Sequence, residues 1–290
     1  MSSPTETIDA AVLRDWGLPD PSDSKQTRGD VAIVGASRRT PGAVMLAFEA
    51  ALRVGAGRVA LLVPGSVEGQ MGAHLPEAAV FALPDDPREA ITGGAADALE
   101  HADAVLVGPG FDDVPQTRAT LDAVLSARPP RLVLDAYALA VLPDIPRRRL
   151  PADLVLTPND AEAAMLLGAT PPDDTSERGA DEREATLVEV ARRFDAVVAS
   201  YGIAATAAGT TRRIQGGGPG LATAGSGDVL AGAIAGFLAR GIPTDRAAGW
   251  GLWSHARAGD RLAELDGLGF LARELARELA RAVHEVDGLG

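Results

Sequence analysis

Short apolar runs rich in β-branched residues recur along this chain, each closed by turn residues and most followed by a stretch of helical character. They read VAIVG (31–35), RVALLVP (58–64), AVFAL (79–83), AVLVGPG (104–110), RLVLDA (131–136), DLVLTP (153–158) and AVVASYG (196–202). A strand that is apolar on both faces needs cover on both sides. Strands alternating with helices meet that need as a parallel sheet between two helical layers. After the first of these runs a helix is expected in PGAVMLAFEAALRVGAG (41–57), which ends in glycines.

The rhythm changes near the end. TAAGTTRRIQ (206–215) reads as a hairpin with Gly209 in its turn, so the sheet gains antiparallel strands there. Helices are then expected over about 227–240, 244–265 and 269–286. The last carries Leu271, Leu275, Leu279 and Val283 at every fourth position, a stripe read as packing on the domain rather than as a subunit contact. Residues 1–29 are polar and read as an extended lead-in with a short helix around Trp16, ahead of a single α/β domain over 30–290. TPPDDTSERGADERE (170–184) is acidic, carries a Pro-Pro pair, and is expected to be a surface loop. No internal repeat is visible.

With 290 residues, 46% of them hydrophobic, the chain can bury a substantial core. A net charge of −13 argues against broad nucleic-acid or anionic-membrane binding, but not against a nucleotide in a local pocket. The absence of cysteine removes thiolate catalysis, disulfides and zinc–thiolate sites. His74, His101, His255 and His284 are scattered and form no HExxH-type pair. Lys25 is the only lysine, which rules out a lysine phosphate clamp or Schiff base elsewhere. The N-terminus lacks an apolar signal core and no run reaches transmembrane length, so a soluble cytoplasmic protein is expected.

Ligands of open α/β sheets bind beyond the carboxyl ends of the strands, so the loops after the runs are the places to search. GASRRTPGA (35–43) offers small residues and two cations, Arg38 and Arg39, yet by itself reads as an ordinary βα turn and matches neither GxGxxG nor GxxxxGK[ST]. VGPGFDD (107–113) ends in a Gly-Pro-Gly turn that serves either a close ligand or a tight bend. Asp135 in LDAYAL (134–139) could orient a ligand or a metal-bound water, or cap a helix. In LTPNDAEAAMLLG (156–168), Asn159 and Glu162 have capping-box spacing, and Thr157 before Pro158 offers a second cap.

LATAGSGDVLAGAIAGFLARG (221–241) is different. Ala224, Gly225, Ser226 and Gly227 can turn several N–H groups toward one point at a helix start, which makes an anion hole. Asp228 then sits beside the anion. A carboxylate there is electrostatically awkward unless it takes the proton of a hydroxyl that attacks phosphorus. Stabilisation of the helix dipole, worth about 0.3–1 kcal/mol, accounts for the acid but not for the unbroken run of small residues before it.

Together these segments resemble the ribokinase-like superfamily, and more closely its ADP-dependent (S)-NAD(P)H-hydrate dehydratases. The likeness runs from about Lys25 to Leu265 through KQTRGDVAIVGAS, GASRRTPGAVMLAFEAALRVGAG, LPEA, VGPG, LDAYAL, LTPNDAE and GLATAGSGDVLAG, in family order. The last segment is similar to the family's GMATGGTGDVLTG. The resemblance implies a three-layer α/β/α sandwich with a mostly parallel sheet and some antiparallel strands near the C-terminal part. It implies phosphorylation of the ring hydroxyl of hydrated NADH or NADPH by ADP (or ATP) with Mg²⁺, then loss of phosphate. Asp228 would be the base. Ala43, Gly110, Asn159 and Asp228 would line the hydrate pocket, and Tyr201, Gly202, Ile203, Ala204, Ala205 and Gly227 the nucleotide site. A homo-oligomer, in the family a tetramer, is implied too. The epimerase domain often fused ahead of this fold is not in the sequence, so a stand-alone version is expected.

Several positions depart from the family pattern. Asn159 stands for histidine, Tyr201 for lysine, Ala205 for threonine, Tyr137 for an acid and Gly218 for asparagine. Tyrosine brings no positive charge to phosphate, so Arg38, Arg39 or Arg212 would have to compensate. Two other readings use the same base and turn: a kinase of a small alcohol, and a nucleotide-binding homologue with lost or altered turnover.

Overall fold

The computed structural model describes residues 6–20, 28–171 and 179–288; Lys25 and residues 172–178 of the Pro-Pro segment lie outside them. In chain order the elements open with β1 (Glu6–Ile8), α1 (Ala10–Trp16), β2 (Asp30–Val34), α2 (Gly42–Arg53), β3 (Arg58–Pro64) and α3 (Gly65–His74). Then come β4 (Ala79–Leu83), α4 (Gly93–His101), β5 (Ala104–Val107), α5 (Val114–Ser126), β6 (Arg131–Leu134) and α6 (Tyr137–Val141). β7 (Asp153–Leu156), α7 (Asp160–Leu167), α8 (Ala180–Phe194), β8 (Val197–Ser200), β9 (Ile203–Ala205) and β10 (Thr211–Ile214) follow. The chain closes with α9 (Ser226–Ala239), α10 (Thr244–Asp266) and α11 (Ala272–Asp287).

All the strands join one sheet in the order β1-β10-β9-β8-β7-β6-β5-β2-β3-β4. From β8 to β4 every pairing is parallel. The β8–β9–β10 meander is antiparallel, with Gly209 in its turn at φ +85. Side chains alternate across a strand, and the core divides accordingly. Val31, Ile33, Leu106, Val133 and Val155 point into one apolar layer with α2, α9, α10 and α11. Ala32, Val34, Val105, Val107, Leu132, Leu134, Leu154 and Leu156 point into the other, under α4 to α8. This is the expected three-layer sandwich.

α9 is apolar almost all round, as a helix buried between neighbours must be. It crosses α2 so closely that a Cβ on Gly232 would lie 2.2 Å from the Ala47 carbonyl oxygen. Only glycine allows that approach, which presses α9 onto the sheet and sets where its first turn begins.

Three expectations are corrected. Residues before Asp30 are more than an extended lead-in, because Glu6–Ile8 pairs in parallel with β10; the short helix expected around Trp16 is α1, capped by Asp9, which accepts from Ala11 and Val12 at 2.8 and 3.0 Å. Residues 180–184 of the acidic segment are not loop but the start of α8. The final helix starts at Ala272, so Leu271 is its cap and is 46% exposed, while Leu275, Ala276, Leu279, Ala282 and Val286 are buried. A strict fourth-residue spacing drifts by about 40° per step around a helix of 3.6 residues per turn, so the buried face mixes threes and fours. That face packs on α2, α9 and α10.

Candidate active site

The strand order reverses between β2 and β5, because the chain leaves β2 toward β3 and β4 and returns on its other side. A crevice opens at such a switch point. Its two loops are tied together: the Ala36 N–H donates to the Pro109 carbonyl at 2.7 Å, and the Thr40 hydroxyl to the Gly110 carbonyl at 2.6 Å. Ala43 and Gly110 are therefore neighbours; a Cβ on Gly110 would lie 3.1 Å from that of Ala43. Arg38 and Arg39 are exposed on this loop.

Backbone strain collects at the same edge of the sheet. Ala36, Ala136 and Tyr201 hold positive φ of 69, 48 and 48°, and each lies just beyond a parallel strand, β2, β6 or β8. Non-glycine residues persist in that region only where their surroundings over-determine them, often around functional sites.

A buried carboxyl group, Asp135, lies just beyond the end of β6. Thr157, just after β7, is no helix cap: its hydroxyl donates to Asp135 at 2.8 Å. Asp135 in turn does not cap α6, whose N-terminus has no side-chain cap. Burial pushes the Asp135 carboxyl up to about 7, with the negative charges of Asp228 and Glu162 adding to the rise. Asp228 lies in the first turn of α9, and burial raises it to about 6. Glu162 is raised as well, by burial. Asp135, in the loop after β6, thus feels the charges of carboxyl groups on α9 and α7.

Asn159 and Glu162 form the reciprocal capping box read from their spacing: the Glu162 N–H donates to Asn159 Oδ1, and the Asn159 N–H to Glu162 Oε2, both at 2.9 Å. Because Asn159 Oδ1 is engaged in the cap, its side-chain NH₂ is the part that can still reach a ligand.

In the turn before α9, Gly225 takes φ +90 and supplies no side-chain cap. Ala224 and Gly227 are exposed, and a Cβ at Gly227 would meet nothing within 4 Å. The Ser226 N–H is spent on the Thr223 carbonyl at 3.2 Å. The N–H groups of Gly227 and Asp228 have no carbonyl one helical turn earlier within α9 and stay available to an anion.

Of the nucleotide-site expectation, Tyr201 and Gly202 form the exposed turn, Tyr201 being 51% exposed. Ile203, Ala204 and Ala205 are buried in β9 and paired with β8 and β10, so their side chains pack in the core. The Tyr201 hydroxyl accepts from the Asp160 N–H at 3.4 Å, and the Arg183 guanidinium lies 4.7 Å over its ring. Arg183 also donates to Asp160 at 3.1 Å. Arg212 cannot stand in for the missing lysine: Glu6 and Asp245 hold it at 2.8 and 2.7 Å, and it stacks on Trp16. Tyr137 is exposed at the start of α6, and the Gly218 N–H donates to Asp260 at 3.3 Å.

The sequence reads Thr157 only as a cap and His255 only as a scattered histidine, and it does not mark Asp260 at all. Each acts through a partner more than twenty residues away, so no local pattern announces it.

A sequence profile of the NAD(P)H-hydrate dehydratase family matches residues 31–281. The chain is 43% identical to an ADP-dependent (S)-NAD(P)H-hydrate dehydratase of Xanthomonas campestris, over 94% of each chain. It also matches a bifunctional NAD(P)H-hydrate repair enzyme of Moorella thermoacetica at 34% identity, spanning 53% of that protein. Among solved structures it resembles a ribokinase-like superfamily protein of Enterococcus faecalis, with TM-score 0.78, 26% identity, and 97% and 96% of the two chains covered. The Bacillus subtilis ADP/ATP-dependent NAD(P)H-hydrate dehydratase, co-crystallised with ATP and Mg²⁺, shares the fold at TM-score 0.80 and 23% identity, with 97% and 99% covered.

Proposed function

Since this chain belongs to the NAD(P)H-hydrate dehydratase family, we propose that it restores the S-epimer of hydrated NADH or NADPH with ADP as phosphoryl donor, and that Asp228 is the base. The oxygen of the ring hydroxyl attacks the β-phosphorus of ADP, and its proton passes to the Asp228 carboxylate. The bond from that phosphorus to the bridging oxygen breaks, and AMP leaves. The phosphate group then departs with the C–O electron pair, the neighbouring ring carbon loses its proton to solvent, and the C–H pair restores the C=C bond of the reduced ring. The products are NAD(P)H, AMP and phosphate.

The observation that carries this reading is the half-buried Asp228 at the open end of α9, its carboxyl held near 6 by burial. An ordinary aspartate is too weak a base to take much of a hydroxyl proton. A raised one stays ionised at neutral pH and is more basic. The amides beside it would stabilise charge on the transferring phosphoryl group without reorganising. Ala43 in the first turn of α2, Gly110 and Asn159 lie where they would border the nicotinamide, and Tyr201, Gly202 and Gly227 where the nucleotide would rest.

Among the described residues no group of three or more His, Asp or Glu side chains is placed to hold a metal. Mg²⁺ in phosphoryl-transfer sites is held largely by phosphates and water, so it would arrive with the nucleotide and offset phosphate charge. The proposal includes a cytoplasmic location, where reduced nicotinamide cofactors turn over, and a homo-oligomeric state. Among the described residues, no helix is long and apolar enough to cross a membrane.

The test is to mix the protein with enzymatically hydrated NADPH and ADP and follow recovery of reduced-nicotinamide absorbance together with AMP and phosphate. ADP-dependent recovery is the expected result. A stable phosphorylated product would indicate a kinase of a small alcohol. Nucleotide binding by calorimetry with no turnover would indicate a binding protein.

A further inference from the structure

His255 on α10 is a buried titratable group for which the chemistry above has no use. It is 8% exposed, and burial pushes its imidazole down to about 4, so the ring is neutral at neutral pH. Its Nε2 lies 2.9 Å from the Ser226 carbonyl oxygen and 2.9 Å from the Ser226 hydroxyl oxygen. A carbonyl only accepts, so Nε2 carries the proton and donates to it. A protonated Nε2 has no lone pair with which to accept. The Ser226 hydroxyl therefore accepts from the same N–H, and its own hydrogen is left to donate elsewhere.

The position of Ser226 gives this contact its meaning. It opens α9, between left-handed Gly225 and Gly227, two residues before Asp228. No side chain caps this helix start, so the turn lacks the usual device that fixes a helix entry. The imidazole holds both the carbonyl and the hydroxyl of the first helical residue instead. α10, which carries His255, also ties a glycine turn: Asp260 accepts from the Gly217 and Gly218 N–H groups at 2.9 and 3.3 Å.

We propose that His255 is a positioning residue for phosphoryl transfer: by clamping Ser226 through one N–H, it fixes the angle at which the Gly227 and Asp228 amides and the Asp228 carboxyl meet the phosphoryl group. This rests on Asp228 and its turn being the transfer site. His255 moves no proton in the reaction; it acts through Ser226. A misplacement of about 1 Å in such a constellation costs on the order of a hundredfold in rate.

The test compares His255→Gln, which keeps an N–H donor, with His255→Leu, which fills space without one, both assayed at temperatures below their measured Tm. The expected result is a fall in kcat of about 10–100-fold for Leu, with KM for ADP within about threefold, and recovery by Gln to within about fivefold of wild type. The acid limb of the pH profile stays where it is in wild type. Ordinary loss of packing would lower Tm in both variants and spare the kcat of the folded fraction. Should Leu fail to fold, Gln and His255→Asn are compared, since the shorter Asn cannot span to Ser226 and should behave as Leu does. Wild-type kcat in Leu or Asn, equal losses in Gln and Leu, or a vanished acid limb would overturn the inference alone. A wild-type protein without ADP-dependent turnover would remove the reading beneath it, and the inference with it.

Discussion

The Thr157 hydroxyl meets the Asp135 carboxyl at 2.8 Å, joining the ends of two adjacent parallel strands. Asp135 pays for that place electrostatically. Asp228, at about 6, ionises first; Asp135, at about 7, must ionise against its charge as well as its own burial.

The sign of the stability effect follows. A carboxyl raised from 3.8 to about 7 favours the folded state most below 3.8, and that contribution is lost as pH climbs through 7. The full gap corresponds to about 4 kcal/mol as an upper figure. Asp135→Asn should therefore flatten the decline in unfolding free energy between pH 5 and 8 by roughly 2–3 kcal/mol, measured in urea. Its acid limb of kcat/KM should stay near 6, because Asp228 titrates while Asp135 is still neutral. A decline as steep as in wild type would contradict this account of Asp135.

Gly227→Ala separates fold from function. The added methyl meets no atom of the protein within 4 Å, so Tm should hold within about 1–2 °C or rise slightly, alanine being the better helix former. If the space in front of Gly227 receives the phosphoryl group, KM for ADP should rise about tenfold or more. An unchanged KM would place the nucleotide elsewhere.

Arg38 and Arg39 are the cations left to meet phosphate on the crevice loop, since Tyr201 carries no charge and Arg212 is held by two carboxylates. Replacing both with alanine should raise KM for ADP about tenfold at low salt, with kcat changed little. The effect should shrink as salt rises, because the side chains are exposed. Equal affinity at low salt would remove these arginines from the site.

Gly232→Ala probes the scaffold alone. Its Cβ would lie 2.2 Å from the Ala47 carbonyl oxygen and 2.5 Å from the Ala47 Cα, both backbone atoms that cannot turn aside. The cost should be about 1–3 kcal/mol or more, seen as a lower denaturation midpoint. A midpoint equal to wild type would mean that α2 and α9 cross more loosely than described.

The layered sheet was legible because its cause is local. RVALLVP is apolar on both faces and bounded by turns, and β3 occupies those seven residues, Arg58–Pro64. The turn at Gly209 and the Asn159–Glu162 cap were readable for the same reason, since each partner lies within a few residues. What escaped is non-local. β1 is three residues long, and its place beside β10 shows in the link between Glu6 and Arg212, 206 residues apart. Asp135 could be named as a candidate from its strand end, but its burial and its coupling to Asp228 come from three separate elements. His255 looked like one of several scattered histidines until α10 placed it against Ser226.

The direct test of Asp228 as base is the Asp228→Asn variant under saturating ADP and hydrated cofactor, read beside the wild-type pH profile. The variant should fold, bind ADP within a few-fold of wild type, and lose about 10²–10⁴-fold in kcat. Wild-type kcat/KM should climb as pH rises through about 6, where Asp228 ionises. A variant that turns over at the wild-type rate would contradict the account.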